Sequence, residues 1–214
     1  MTREQVLEMV AKGEISPEEA NGLLKKLERP RKAAWRTLLD PLSRASTPVS
    51  LAASSLFAVG GLGLSRLGIR FDGAFDLHLG AQPVPLWTAL ADQVVAWPVL
   101  AAVLWGAARL LAGQVRFVDF LNGVGLARGW LLVTAAALLP FADRMARLTP
   151  PAIDPSSVAV LVAIALPGTG LFFTALTLAY RTASGLRGAR LAFSLVGALL
   201  VAEVVSKLLL LACV

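Results

Sequence analysis

The fold class expected of this chain is all-α: an integral membrane bundle of about five transmembrane helices, with a small cytoplasmic N-terminal helical hairpin. Three observations predict it. Charge is absent from Ala45 to Ser65, from Gln93 to Ala108, from Gly129 to Ala142 and from Pro155 to Tyr180, and Leu191 to Val214 is broken only by Glu203 and Lys207. Apolar residues make up 57% of the 214 positions and charged residues only 16%, against about a quarter charged in soluble domains. Mean hydropathy is +0.71. A span needs roughly 20 apolar residues at 1.5 Å each. The first and fourth runs reach that length outright. The second reaches it from Leu86, with Asp92 tolerated near its end. The third reaches it only by including Phe120 to Ala127, which would put Arg128 inside it; otherwise it is short, tilted or partly re-entrant.

Residues 1–29 read as the hairpin of two short helices. Thr2 and Gln5 form one capping-box pattern, and Ser16 with Glu19 a better one. Pro17 falls at the first helical position, where its missing N–H costs nothing. Gly13 suits the end of the first helix and Pro30 the end of the second. Val6, Leu7 and Val10 form one apolar stripe, and Ala20, Leu23, Leu24 and Leu27 another at helical spacing, with Ile15 in the turn. Val6, Leu7, Val10, Ile15, Leu23, Leu24 and Leu27 are the candidate interaction face. A hairpin this small buries too little to be firmly stable alone, so a partner surface is expected.

The stretch from Val6 to Ala20, with Gly13-Glu14-Ile15-Ser16-Pro17-Glu18-Glu19-Ala20 at its centre, resembles the SHOCT-like hairpin found at the ends of many bacterial membrane proteins. The resemblance implies an oligomerisation or protein-interaction module with no chemistry of its own.

Residues 30–48 form a basic juxtamembrane linker, and residues 49–214 the five-span domain. The net charge of +6 follows topology. Nine Lys/Arg fall in residues 1–48, three in 109–128 and three in 181–190, while Arg66, Arg70, Arg144 and Arg147 fall on the other side. The positive-inside rule then sets the N-terminus in the cytoplasm and the C-terminus outside. Arg29, Arg31, Lys32, Arg36 and Arg44 stand where they can meet anionic headgroups. The basic residues form no aromatic-studded face, so a nucleic-acid partner is not expected. The first run starts too late for a cleavable signal peptide, so the first span is expected to be retained.

Between the first two spans, Ile69, Phe71, Phe75, Leu77 and Leu79 alternate with Arg70, Asp72, Asp76 and His78. With Asp72-Gly73 as the turn, this predicts a short extracytoplasmic β-hairpin lying on the membrane or over the helix mouths. His78, the only histidine, has no companion at ligand spacing and reads as a surface residue; no metal or cofactor is expected. Cys213 stands alone and reads as a small apolar residue. Trp87, Trp97, Trp105 and Trp130 read as interfacial anchors, with packing the alternative for Trp97 and Trp105. Residues 109–128 read as a basic loop partly in the interface. Gly123-Val124-Gly125 lacks the strand and the Lys-Ser/Thr of a nucleotide loop, whereas Gly125 and Gly129 have the spacing of close helix approach.

Pro167, Gly168 and Gly170 interrupt the fourth run as a candidate helix break, read as a packing kink ahead of a transporter hinge. Glu203, thirteen residues into the last run, falls near the membrane midplane at 1.5 Å per residue. A lone charge there costs at least about 2.5 kcal/mol. Its i, i+4 spacing to Lys207 allows an ion pair. A structural pair or inter-helix lock is ranked slightly ahead of a transport role.

Val115-Arg116-Phe117-Val118-Asp119-Phe120-Leu121-Asn122, running into Gly129 to Pro140 within five spans, resembles the Yip family of five-span membrane proteins. Gly129 stands where relatives often have proline, and Pro140 lies at the far end. That resemblance implies a membrane-embedded organiser rather than an enzyme. The function expected is therefore a non-catalytic protein of the bacterial inner membrane that scaffolds partners, or copies of itself, through its head. A small transporter using Glu203, Lys207 and the Pro167 break is the alternative. No Ser/His/Asp set or paired acids point to catalysis, and no small-molecule substrate is identified.

Overall fold

The computed structural model describes residues 3–21, 39–40, 42, 46–80, 82–142 and 154–213. The chain divides into two compact units, Met1–Thr37 and Leu38–Val214.

In the first unit, α1 spans Arg3–Ala11. Gly13 ends the turn with φ +72°, a conformation glycine adopts without steric cost. Residues 17–21 are helical again, opening at Pro17. The expected capping box is formed: the Ser16 amide and hydroxyl both donate to Glu19 Oε2 at 3.0 Å, and the Glu19 amide donates to Ser16 Oγ at 3.2 Å. Backbone and hydroxyl donation by Ser16 holds the Glu19 carboxyl below its ordinary value. Val6 and Ala20 are buried, Val10 and Ile15 half-buried, and Leu7 exposed. Leu23, Leu24, Leu27, Pro30 and the basic run Arg29, Arg31, Lys32, Arg36 and Arg44 lie outside the described residues.

The second unit holds five long helices: α2 (Thr47–Ser65), α3 (Leu86–Ala112), α4 (Phe117–Leu138), α5 (Pro155–Ser184) and α6 (Gly188–Cys213). All five are long and apolar enough to cross a membrane, which makes this a multi-pass membrane protein. Leu56, Val59, Leu166, Phe193, Leu200 and Leu208 are exposed on the bundle surface. So much outward apolar surface is matched by lipid rather than water.

Successive helices run in opposite directions. Trp97 of α3 meets Leu121 of α4, and Trp105 meets Val115. Gly125 and Gly129 of α4 stand against Ser54 and Phe57 of α2, so those two run parallel. α4 packs on α2, α3 and α5, while α6 packs mainly on α3. The buried core centres on Leu100, Leu104, Phe120, Val124, Leu131, Phe172, Leu176 and Tyr180.

Two expectations are corrected, and the two alternatives for the third span are resolved. Residues 109–128 are not a loop: α3 continues to Ala112 and α4 begins at Phe117. The third span is therefore a complete helix that carries Arg128 inside it, closed by a 3-10 turn at Leu139–Phe141 that contains Pro140. A buried guanidinium is tolerated there because the chain supplies it with acceptors, as described below. The predicted β-hairpin exists, but as strands of two residues each. β1 (Ile69–Arg70) pairs antiparallel with β2 (His78–Leu79), Ile69 opposite Leu79 and Arg70 opposite His78. The turn is thus the whole of residues 71–77, wider than an Asp72-Gly73 turn. Ile69, Phe71 and Ala74 are buried, so apolar burial in the bundle holds this loop where ladder bonds are few.

Candidate functional site

The polar chemistry gathers where the hairpin loop enters the bundle. Gly68, with φ +87°, turns the chain from α2 into β1, and its amide and carbonyl bond to Ser65 O and to the Gly80 amide. Phe71 and Ala74 carry the loop inward, and Phe75 packs on Phe173 of α5 with centroids 5.6 Å apart.

Four side chains from three helices receive the loop. Asp92 of α3 accepts from Arg70 Nε at 3.0 Å and Nη2 at 3.3 Å, a bidentate pair. This hydrogen bonding, ahead of the opposing effect of burial, raises the Arg70 guanidinium above its ordinary value. Arg128 of α4 is buried and donates through Nη1 to Ala74 O at 3.1 Å and more weakly to Gly73 O at 3.5 Å. Its guanidinium carbon lies 6.0 Å from the Phe71 ring centroid. Glu203 of α6 accepts from the Ala74 amide at 3.1 Å. One peptide segment is thereby gripped on both its donor and acceptor sides, by a carboxylate from one helix and a guanidinium from another.

Lys207 closes the arrangement. Its Nζ lies 2.6 Å from Asp76 Oδ2, 3.6 Å from Glu203 Oε1 and 3.9 Å from Asp72 Oδ1. His78 Nε2 stands 3.2 Å from Asp72 Oδ1 and 3.1 Å from Asp76 Oδ2. At Asp76, burial pushes the carboxyl up, but hydrogen bonds from Lys207 and His78 outweigh it and hold the carboxyl below its ordinary value. The i, i+4 contact between Glu203 and Lys207 is present, yet both residues also reach a loop about 130 positions away. Gly73 leaves the room: a Cβ there would stand 2.8 Å from Glu203 Oε1.

The reading of His78 as lacking companions is corrected. Asp72, Asp76 and His78 offer ligand-type atoms within 4.8 Å of one another. A tight turn at Asp72-Gly73 would hold these side chains apart, whereas the wide turn of residues 71–77 brings 72 and 76 back over 78. The Lys207 ammonium stands among them, so a metal ion would have to displace it; Asp72 Oδ1 is buried and has ion-pair contacts but no hydrogen-bond partner among the described residues.

The candidate break lies elsewhere. α5 runs unbroken through Pro167. Gly168 is buried, and a Cβ on it would collide with the Thr134 side chain of α4, whereas Gly170 faces open space. Thr134 in turn donates to Trp130 O at 2.7 Å. Asp154 caps the N-terminus of α5; its carboxylate accepts from Ser156 and Ser157, and their hydroxyls and amides hold it down to about 2.

Two of the tryptophans pack by hydrogen bonding. Trp97 Nε1 donates to Leu121 O at 2.7 Å and Trp105 Nε1 to Val115 O at 3.3 Å. Trp87 is exposed near the start of α3, where an anchor would stand. Sequence reasoning missed Arg70, Asp92 and Arg128 as site residues. The signal was available: Asp92 and Arg128 are ionisable groups within span-length segments, with no opposite charge one turn away on their own helix.

Residues 1–32 match a SHOCT-like domain. No curated protein and no solved structure matches the chain.

Proposed function

We propose that this is a non-catalytic membrane protein that organises partners, first of all further copies of itself, through its N-terminal hairpin. The membrane bundle, Yip-like in its five-span layout, serves as the anchor. The match of residues 1–32 to a SHOCT-like domain carries the reading. The exposed Leu7 beside the buried Val6 agrees with an apolar face that continues beyond the hairpin itself. Charge distribution supports a cytoplasmic head: with Arg128 and Lys207 inside the spans, fourteen Lys/Arg fall on the head's side and four on the other. On this reading the protein sits in a bacterial inner membrane, with its C-terminus outside.

The geometry of Glu203 and Lys207 favours this function over transport. Both groups are spent on holding the hairpin loop. A transport site needs an ionisable group free to change partners during the cycle.

The test is the mass of the full chain in lipid nanodiscs or native membranes, set against a chain lacking residues 1–32. Loss of the higher-order species on deletion, with the bundle still inserted, supports the proposal. An unchanged mass distribution sinks it.

A further inference from the structure

At the end of the bundle opposite the hairpin, α2, α4 and α5 enclose a second polar feature. It is a cavity of about 220 Å³ lined by Thr47, Ser50, Asp119, Asn122 and Thr182, with Leu42 and Ala183 as apolar walls. Ser50 and Asn122 are each only 1% exposed, yet Ser50 Oγ and Asn122 Oδ1 have no hydrogen-bond partner among the described residues. Buried polar atoms are rarely left so, and each such exception asks for an occupant.

The orientation of the Asn122 amide is set chemically. Its Nδ2 donates to Thr47 O at 3.4 Å. A flipped amide would place two oxygens against each other, so Oδ1 is the atom left without a partner. Ser54, one turn beyond Ser50, spends its hydroxyl on Asn122 O at 3.3 Å. The Thr182 hydroxyl donates to Asp40 at 3.4 Å, which leaves its lone pairs free. Among the described residues, Asp119 is ion-paired with Arg116 Nε at 3.9 Å, on a mostly exposed side chain. Among the described residues, no Lys or Arg lines the cavity. It presents a carboxylate, an amide oxygen and hydroxyls, an acceptor set in want of a donor that carries positive charge.

We propose that this cavity binds a small primary ammonium compound, its N–H groups shared among Asp119, Asn122 Oδ1 and Ser50 Oγ. The cavity has room for several water molecules, which suits an amino alcohol. The same ammonium chemistry has two sources: a free amine in solution, or the ethanolamine head of a lipid at the end of the bundle. This site is independent of the self-association reading, since none of its residues belongs to the head.

The experiment uses the full chain in phosphatidylcholine nanodiscs, titrated with ethanolamine by ligand-observed NMR. Saturable binding is expected, with tetramethylammonium, which has no N–H, failing to compete. Asp119→Asn should weaken binding about tenfold or more, as loss of a charged hydrogen bond implies. Ser50→Ala should weaken it too, while leaving the ligand-free melting temperature unchanged or raised, because no intramolecular bond is lost. That variant separates binding from folding. Nanodiscs of phosphatidylethanolamine decide the source: a lipid headgroup blocks added ethanolamine, and a free-amine site still takes it up. Absence of saturable binding, as for a cavity holding only water, overturns the proposal. So does equal competition by tetramethylammonium, or binding indifferent to both substitutions.

Discussion

Lys207 Nζ lies 2.6 Å from Asp76 Oδ2, although 131 residues separate them in the chain. The contact ties the last helix to the loop between the first two, and makes an otherwise weak hairpin part of the bundle. Both side chains are more than a third exposed, so solvent screens the pair. Lys207→Met should cost no more than about 1 kcal/mol of stability. A double-mutant cycle with Asp76→Asn, read by thermal unfolding in detergent, should give a coupling of the same size.

Arg128 carries a larger share. Without it the Ala74 carbonyl loses its donor in a buried place, and an orphaned acceptor of this kind costs about 1–3 kcal/mol. Arg128→Met should therefore destabilise more than Lys207→Met. Hydrogen exchange should rise first in residues 71–77, and the Ala74 amide held by Glu203 is the probe to watch.

Gly168 and Gly170 lie on either side of Thr169 and should respond in opposite ways. Gly168→Ala drives a methyl into Thr134 and should cost about 1–3 kcal/mol through overpacking. Gly170→Ala meets nothing within 4 Å and should be neutral or slightly stabilising, since alanine favours the helix by up to about 1 kcal/mol. Equal effects from the two would contradict close packing of α5 on α4 at this point.

Acid should loosen the hairpin. The Asp76 carboxyl is held below its ordinary value of 3.8, so the folded state binds its proton less readily than the unfolded chain. Its contribution is complete above pH 3.8 and is lost as pH falls through the lowered value. Hydrogen exchange of the amides in residues 71–77, corrected for its intrinsic pH dependence, should speed up relative to the core helices over that window, and Asp76→Asn should remove the pH dependence from this source.

Much of this architecture is readable from residue order, and the misses share a cause. Charge-free runs announce the helices because lipid leaves few alternatives for a long apolar segment. The Ser16–Glu19 cap is local, so four residues suffice to predict it. Arg109, Arg116 and Arg128 made α4 look like a basic loop, since spacing alone does not reveal that Arg128 finds the Ala74 carbonyl. Asp92 and Arg70 are likewise partners across 22 positions, and the Asp72–Asp76–His78 group assembles only once the turn widens to residues 71–77. Glu203 and Lys207 were legible as a pair, but not as the receptors of a loop. The cavity beside Ser50 and Asn122 had no sequence signal beyond small polar residues near helix ends.

The head is the element proposed to bring copies together. Native mass spectrometry of the full chain released from nanodiscs, beside the chain lacking residues 1–32, tests this directly. Dimers or larger species that collapse to monomers when the head is removed are the expected result. The same oligomer distribution from both chains would contradict it.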